Sequence, residues 1–444
     1  MSLHHPTIAV SAPGKVFLAG GYLVLDQEYT AFVFGLDARI NIIAGDIHTT
    51  AGVQLTEIVV DSPQFLEAQW RYGYHLAGEG GGIKVTQLQV SGVQINPNPF
   101  VETTLSYALT YIDRVAKQRP SHSMTSARLI ILADNDYYSH SESESTRTGR
   151  FAKFPVTLGD ANKTGLGSSA ALVTSLTAAL LAHYLPGDLF DIQSEQGNRT
   201  LHNLAQAAHC AAQGKVGSGF DVATAVYGSC RYRRFSPKTL AAIPEAGTAG
   251  FADALVKLVD GESAWDVEIL KDAVTMPKGV VLRMCDVDCG SKTVGMVKEV
   301  LQWRSSNIEE SKKLWDELQK RNEQLIATLN AGDVAQLPEK ITAVREMIRQ
   351  MGNASEVPIE PESQTELLDA LSTVEGVYGG VVPGAGGYDA LALLMKDDDE
   401  TKQRVEDFLG KWAKEKGTKV KLLGVKGEME GVRSESLDMY AGWI

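Results

Sequence analysis

Apolar positions recur along this 444-residue chain with two different spacings. Residues 7 to 43, with stretches such as "TIAVSAPGKVFLAGG", alternate apolar and polar or small positions and predict short strands around a glycine-rich turn that carries Lys15. Helical spacing takes over at 168 to 184 and at 194 to 213, where "NRTLHNLAQAAHCAAQG" stops on a glycine. The second half opens on the strand-like "GVVLRMCDV", followed by a helix that runs on to 304. Amphipathic helices are predicted over 307 to 330, with Leu314, Leu318, Leu325 and Leu329 on one face, and over 334 to 351. A glycine-rich segment at 379 to 387, a helix over 400 to 415 and the strand "KVKLLGV" complete it. "GEGGG" (78 to 82) and "SHSESESTRTGR" (139 to 150) read as surface loops. Between 236 and 250, "SPKTLAAIPEAGTAG" mixes Pro, Gly and small residues as a crossing between domains does. The pattern predicts an α+β chain in two domains, 1–235 and 236–444, in keeping with a length beyond what one core organises.

Composition narrows the partners. Apolar residues make up 44% and charged residues 22%, and polar residues interrupt every apolar run before it reaches membrane-spanning length. The first residues lack a basic patch followed by a long apolar run, so no secretory signal is read. Four cysteines, Cys210, Cys230, Cys285 and Cys289, are too sparse for a disulfide scaffold and have no zinc-type spacing, which predicts reduced thiols and a cytoplasmic setting. A formal charge of −13 speaks against nucleic acid or a membrane surface as partner. An anionic small-molecule ligand would need a locally basic site. A monomer is the expectation, with a dimer as the alternative.

Such a site is written into "KTGLGSSAALVTSLTAALL", residues 163 to 181. A helix start leaves backbone N–H groups unpaired and carries partial positive charge. Gly165 and Gly167 let backbone approach a bulky oxyanion, Ser168 and Ser169 add hydroxyls for phosphate or a phosphate-bound metal, and Lys163 adds charge at the rim. The stretch lacks the Lys-Ser/Thr pair that closes a P-loop. Taken alone it could equally be a plain helix cap. Two further glycine loops, "APGKVFLAGGY" (12 to 22) and "VVPGAGGYDALALL" (381 to 394), suggest several backbone segments converging on one polyanion.

In this order the three stretches resemble the motifs of the GHMP kinases, and they span nearly the whole chain. Gly20-Gly21-Tyr22 in the first motif, and "HCAAQGKVGSGFDVATAVYGS" (209 to 229), "NPNPFVETTL", "ADNDYYS" and "CDVDCGSKTVGMV", resemble the fungal branch that acts on phosphomevalonate. The resemblance implies a two-domain GHMP kinase fold. Its first domain is built around a left-handed β-α-β unit, its second is ferredoxin-like, and the active site lies in the cleft between them. It implies ATP and Mg2+ as cofactors and transfer of the γ-phosphate to (R)-5-phosphomevalonate, giving the diphosphate and ADP on the mevalonate route to isoprenoids and sterols. Carried over, Gly165, Leu166, Gly167, Ser168, Ser169 and Ala170 match the phosphate loop with Lys163 beside it, and Lys15 and Asp221 match the lysine and aspartate that flank the reacting groups. Gly384, Ala385, Gly386 and Gly387 match the loop beside the acceptor. Asn98 and Asn135 fall in stretches that line the nucleotide side.

One departure bears on the metal. Where mevalonate kinases place a magnesium-holding glutamate, this chain has His209, a poor ligand for an ion that prefers hard oxygen donors. Magnesium is then expected on ATP oxygens, water and a hydroxyl of Ser168 or Ser169; the alternative for His209 is a helix residue satisfied by its neighbours. A phosphate acceptor is largely dianionic at neutral pH, so it needs no general base. It needs cations: two unit charges about 4 Å apart repel by roughly 4 kcal/mol at an effective dielectric near 20. Lys15 is the first choice for that work, with Lys163, Lys215, Lys292 and Arg147 behind it, and Asp221 is expected to orient Lys15, the metal or the acceptor. Ser291 and Thr293 stand at a helix start, as acceptor contacts or as caps. Mevalonate as acceptor, and a non-catalytic nucleotide sensor, remain the competing functions.

Overall fold

The computed structural model describes residues 5–48, 55–89, 96–117, 124–138, 149–261, 264–288 and 295–444. The first half contains β1 (Ile8–Ala19), β2 (Ala31–Asp46), β3 (Glu57–Asp61), β4 (Gln69–Leu76), β5 (Ile83–Gln87), α1 (Pro99–Ala116) and β6 (Ala127–Ala133). It continues through α2 (Ser168–Tyr184), α3 (Glu195–Gln213), α4 (Phe220–Tyr227), β7 (Cys230–Arg233), α5 (Lys238–Ala241), α6 (Phe251–Asp260) and β8 (Glu268–Leu270). The second half contains β9 (Val280–Asp288), α7 (Met296–Ser306), α8 (Ile308–Asn330), α9 (Leu337–Ser355), α10 (Glu362–Leu371), β10 (Val377–Val381), β11 (Ala390–Lys396), α11 (Asp399–Lys416), β12 (Lys419–Glu428) and β13 (Arg433–Glu435).

The strands join into one twisted surface in the order β10-β11-β9-β12-β2-β6-β3-β4-β5, with β1 paired to β2 and β13. The first four strands of that order are antiparallel neighbours and, with α11 between β11 and β12, follow the βαββαβ course of a ferredoxin-like unit. β3 and β6 run parallel and are connected by a crossover that includes α1. α2 is apolar on nearly every face because it lies between β1 and β2 on one side and α1 and α3 on the other, and most of its side chains are buried.

Two expectations change here. Lys15 stands inside a continuous β1, and "APG" is absorbed by a shift in the β1–β2 register between Pro13 and Gly14. Residues 236–250 do not lead into the second half. Gly247, Gly250 and Ala252 donate backbone hydrogen bonds to carbonyls of Gly81, Glu79 and Gly80, α6 packs on α1 and α3, and β8 pairs with β7. We therefore propose a crossing near residues 275–279, and β13 at the far end of the chain returns to pair with β1. The halves are also clasped by Tyr29, whose hydroxyl donates to Asp316 at 2.9 Å, and by Arg304, which pairs with Asp26 and lies 3.9 Å from the centre of the Trp315 ring.

Candidate active site

The glycine loop and Lys15 form one unit. α2 begins at Gly167, whose φ of 82° only glycine adopts without cost; among the described residues no side chain caps the helix and no acidic residue stands in its first turn. Its first N–H groups are therefore left without a capping side chain or a competing carboxylate, the condition under which a helix start suits an anion. The Lys15 N–H donates to the Leu166 carbonyl at 2.9 Å, and the Lys15 stem runs along Gly167 so closely that a Cβ there would lie 2.8 Å from Cγ and 2.9 Å from Cε. Leu166 and Ala170 are buried and anchor the loop, while Gly165 stands over open space.

Lys15 is half-buried, with Nζ 5.3 Å from the centre of the Phe220 ring, which in turn packs against Phe17 at 4.0 Å. Burial pushes its ammonium below the ordinary lysine range, and the Asp221 carboxylate opposes that fall. Asp221 occupies the first turn of α4, one residue beyond Phe220, and its Oδ1 accepts the Val222 N–H at 3.0 Å. Its Oδ2 lies 3.9 Å from Nε2 of the buried His209 on α3. That same Nε2 lies 3.2 Å from Ser169 Oγ and 3.1 Å from the side-chain nitrogen of Gln213. β1, α2, α3 and α4 thus bring Lys15, Ser169, His209 and Asp221 together from four separate parts of the chain.

The third glycine loop, between β10 and β11, arrives from the second half. A Cβ at Gly384 would lie 3.9 Å from the Phe17 ring, one at Gly21 would overlap the Gly384 carbonyl, and the Tyr22 hydroxyl donates to the Ala385 carbonyl at 2.7 Å. Gly387 donates to the Ile359 carbonyl at 2.9 Å, and Gly386 packs against the same residue. Behind Ile359, the buried Glu360 carboxylate receives Arg345 at 2.7 Å, Arg349 at 2.9 Å and the Thr365 hydroxyl at 3.0 Å. A buried ion pair therefore braces the segment on which the loop rests.

Asn98, Lys163, Ser168 and Ser169 line one cavity of about 100 Å³, walled by Phe65, Trp70, Phe100 and Tyr138. It adjoins the start of α2, with apolar walls suited to a flat ring and polar groups at its mouth. Asn98 also caps α1, its Oδ1 accepting the Val101 N–H. Asn135 is turned elsewhere: its amide donates to the Gly149 carbonyl and accepts from the Ala152 N–H, so it ties down the chain at 149–152. Lys215 lines a separate cavity of about 610 Å³ between α1, the end of α3 and residues 240–246. Ser291, Thr293, Lys292 and Arg147 lie outside the described residues.

Magnesium fits this donor set as an ion delivered with a nucleotide. Among the described residues no three His, Cys, Asp or Glu side chains form a metal cluster, whereas the Ser168 and Ser169 hydroxyls and the Asp221 carboxylate supply hard oxygens around the loop. Phe17, Phe220 and Gln213 did not stand out in the sequence. Phe220 precedes Asp221 and Gln213 follows His209 by one helical turn, and neither spacing alone marks a site.

The sequence pattern described as GHMP kinases N terminal domain matches residues 153–229, and that described as GHMP kinases C terminal matches residues 324–415. The chain is 89% identical to the phosphomevalonate kinase of Gibberella zeae over the full length of both proteins. It is 46% identical to that of Aspergillus fumigatus over 98% of each. Among solved structures, Streptococcus pneumoniae phosphomevalonate kinase in complex with phosphomevalonate and AMPPNP superposes with a TM-score of 0.60 at 17% identity, covering 94% of this chain and all of that one, a likeness of fold.

Proposed function

The chain belongs to the GHMP kinase family, and from that premise we infer that it is an ATP-dependent phosphotransferase converting (R)-5-phosphomevalonate to (R)-5-diphosphomevalonate and ADP. Its 89% identity to a phosphomevalonate kinase over the full length of both supports a role on the mevalonate route to sterols. The observation that carries the reading within the molecule is the packing of Lys15 against Gly167, which joins a cation to a helix-start anion site.

Each residue then has work to do. The first N–H groups of α2, with Gly165, Gly167, Ser168 and Ser169, cradle the nucleotide phosphates; Lys163 and Asn98 flank the base and sugar in the cavity beside them. Gly384 to Gly387 approach the acceptor through backbone. The acceptor phosphate supplies its own nucleophilic oxygen, so the dominant barrier is repulsion between it and the nucleotide. Lys15, held between Gly167 and Phe220, lies where it can bridge both anions, and its partial burial there strengthens the effect of one positive charge. Asp221 opposes loss of the Lys15 proton and keeps the ammonium in place. Magnesium, when bound, neutralises phosphate charge, with Ser168 and Ser169 as its protein ligands. Among the described residues no helix is long and apolar enough to cross a membrane, and we propose a cytoplasmic setting.

The test is acceptor choice. With MgATP, ADP should be released with phosphomevalonate and not with mevalonate, and 31P NMR should show a new diphosphate with no loss of carbon dioxide. Turnover on mevalonate alone would replace this reading with that of a mevalonate kinase, and nucleotide binding without turnover on either acceptor would point to a sensor.

A further inference from the structure

We infer that Tyr22 and Gly21 form a clasp that fixes the third glycine loop across the two halves of the chain, which makes Tyr22 a positioning residue for the acceptor. The inference rests on the assignment of residues 384–387 to the acceptor. It starts at the end of β1. Gly20 turns the chain at a φ of 90°, and its carbonyl accepts the Val24 N–H at 3.1 Å, opening the single helical turn Leu23–Leu25. Leu23 and Val24 are buried, so this turn is a rigid mount for Tyr22, itself 1% exposed. From it the Tyr22 hydroxyl reaches the Ala385 carbonyl, 363 positions along the chain, at 2.7 Å. A carbonyl only accepts, so the hydroxyl is the donor. Burial, with the Glu299 carboxylate nearby, pushes the phenol well above its ordinary range and keeps that proton in place.

Gly21 completes the clasp. A methyl carbon there would lie 2.2 Å from the Gly384 oxygen, about 1 Å inside ordinary contact, so only a residue without a side chain lets the loop settle. Two successive peptides are thereby fixed, one by contact and one by a hydrogen bond. Because a trans peptide is planar, the Ala385 N–H is turned away from Gly21, and among the described residues no group accepts it. On its other side the loop is held by the Gly387 N–H on the Ile359 carbonyl. A cavity of only about 20 Å³ lies between residues 17–21 and 381–384, so the halves meet there almost without a gap. The loop needs such support: Gly384, Gly386 and Gly387 all stand at positive φ, and glycine loses more backbone freedom on ordering than any other residue. Left loose, the loop would be ordered at the expense of acceptor affinity. Tyr22 thus acts through the loop backbone.

The full-length protein carrying Tyr22→Phe, Gly21→Ala and the pair tests this. Measurements are kcat, KM for phosphomevalonate and for ATP, and hydrogen–deuterium exchange over residues 381–388 without substrates. Tyr22→Phe keeps the ring and loses one hydrogen bond; it should raise KM for phosphomevalonate about fivefold, leave KM for ATP within about twofold, and speed exchange in the loop. Gly21→Ala shifts the loop by about 1 Å and should lower kcat/KM for the acceptor by on the order of 10²-fold. A loop so displaced is out of reach of the hydroxyl, so the pair should be no worse than Gly21→Ala. Losses that multiply in the pair, or a Tyr22→Phe protein with unchanged exchange and unchanged KM for the acceptor, would overturn the inference. Should Gly21→Ala fail to fold, exchange in the unmodified protein decides: protection over 381–388 that Tyr22→Phe removes upholds the clasp, and exchange as fast as in an open loop refutes it. If Tyr22→Phe speeds loop exchange but raises KM for ATP alone, the clasp stands and it is the assignment of this loop to the acceptor that fails, and the positioning role with it.

Discussion

Gly167→Ala is the substitution in which geometry and chemistry meet most closely. The new methyl carbon would lie 2.8 Å from Lys15 Cγ and 2.9 Å from Cε, against about 3.5–4.0 Å for an unstrained carbon pair. Since α2 is buried on most sides, the Lys15 stem is what yields, by about 1 Å. The backbone contributes separately: a φ of 82° costs an alanine roughly 1–2 kcal/mol. A misplacement of about 1 Å in a positioned group costs on the order of 10²-fold in rate, about 2.7 kcal/mol of barrier. Gly165→Ala separates the two effects, because Gly165 has a φ of 76° and nothing within 4 Å of its virtual methyl. Both variants should lose similar stability in denaturant titrations. Only Gly167→Ala should lose about 10²-fold in kcat, measured as ADP release at saturating substrates, with Gly165→Ala staying within about fivefold and any crowding of the nucleotide there showing as a raised KM for ATP. Equal losses of kcat in the two variants would refute the claim that Gly167 is small to make room for Lys15.

Two further outcomes follow. Because burial lowers the Lys15 pKa, kcat/KM should fall on an alkaline limb centred below the ordinary lysine value of 10.5; between the folded pKa and 10.5 the unfolded chain holds more protons, so this residue's contribution to stability rises with pH while activity falls. A pH–rate profile with no descending limb below 10.5 would contradict this. Glu360→Ala removes the carboxylate that receives Nε and Nη2 of Arg345, whose side chain is 5% exposed, and leaves Asp369 as its carboxylate partner, so it should cost about 1–3 kcal/mol in denaturant unfolding while raising KM for the acceptor more than KM for ATP through the loosened Ile359 support; an equal rise in both constants would disconnect the ion pair from the third loop.

Much of the site was legible because glycine, serine and charge have few reasons to coincide. The helix over 168–184 and its glycine start stand where the pattern put them, and the third loop precedes a strand as predicted. Lys15 was misplaced onto a turn because Pro-Gly is a strong turn signal, and a register shift that swallows it depends on the partner strand β2. α1 escaped notice although Asn98 as cap and Pro99 at the first position are start signals, since "NPNP" also reads as loop. Residues 236–250 read as a crossing from their loop-like composition, whereas the hydrogen bonds from Gly247 and Gly250 to the 79–81 turn, which motivate the proposed crossing near 275–279, join residues more than 160 positions apart and leave no local signal. Asn135 has the right residue type for ligand binding, yet its bonds go to backbone at 149 and 152.

The most direct measurement is the turnover of Lys15→Met, a side chain of similar reach without the charge. If a cation held against the helix start is what lets two phosphate groups approach, this variant should lose at least about 10³-fold in kcat with phosphomevalonate and MgATP, while ADP affinity and the unfolding midpoint stay close to those of the unaltered protein. A catalytic constant within a few-fold of normal would contradict the account.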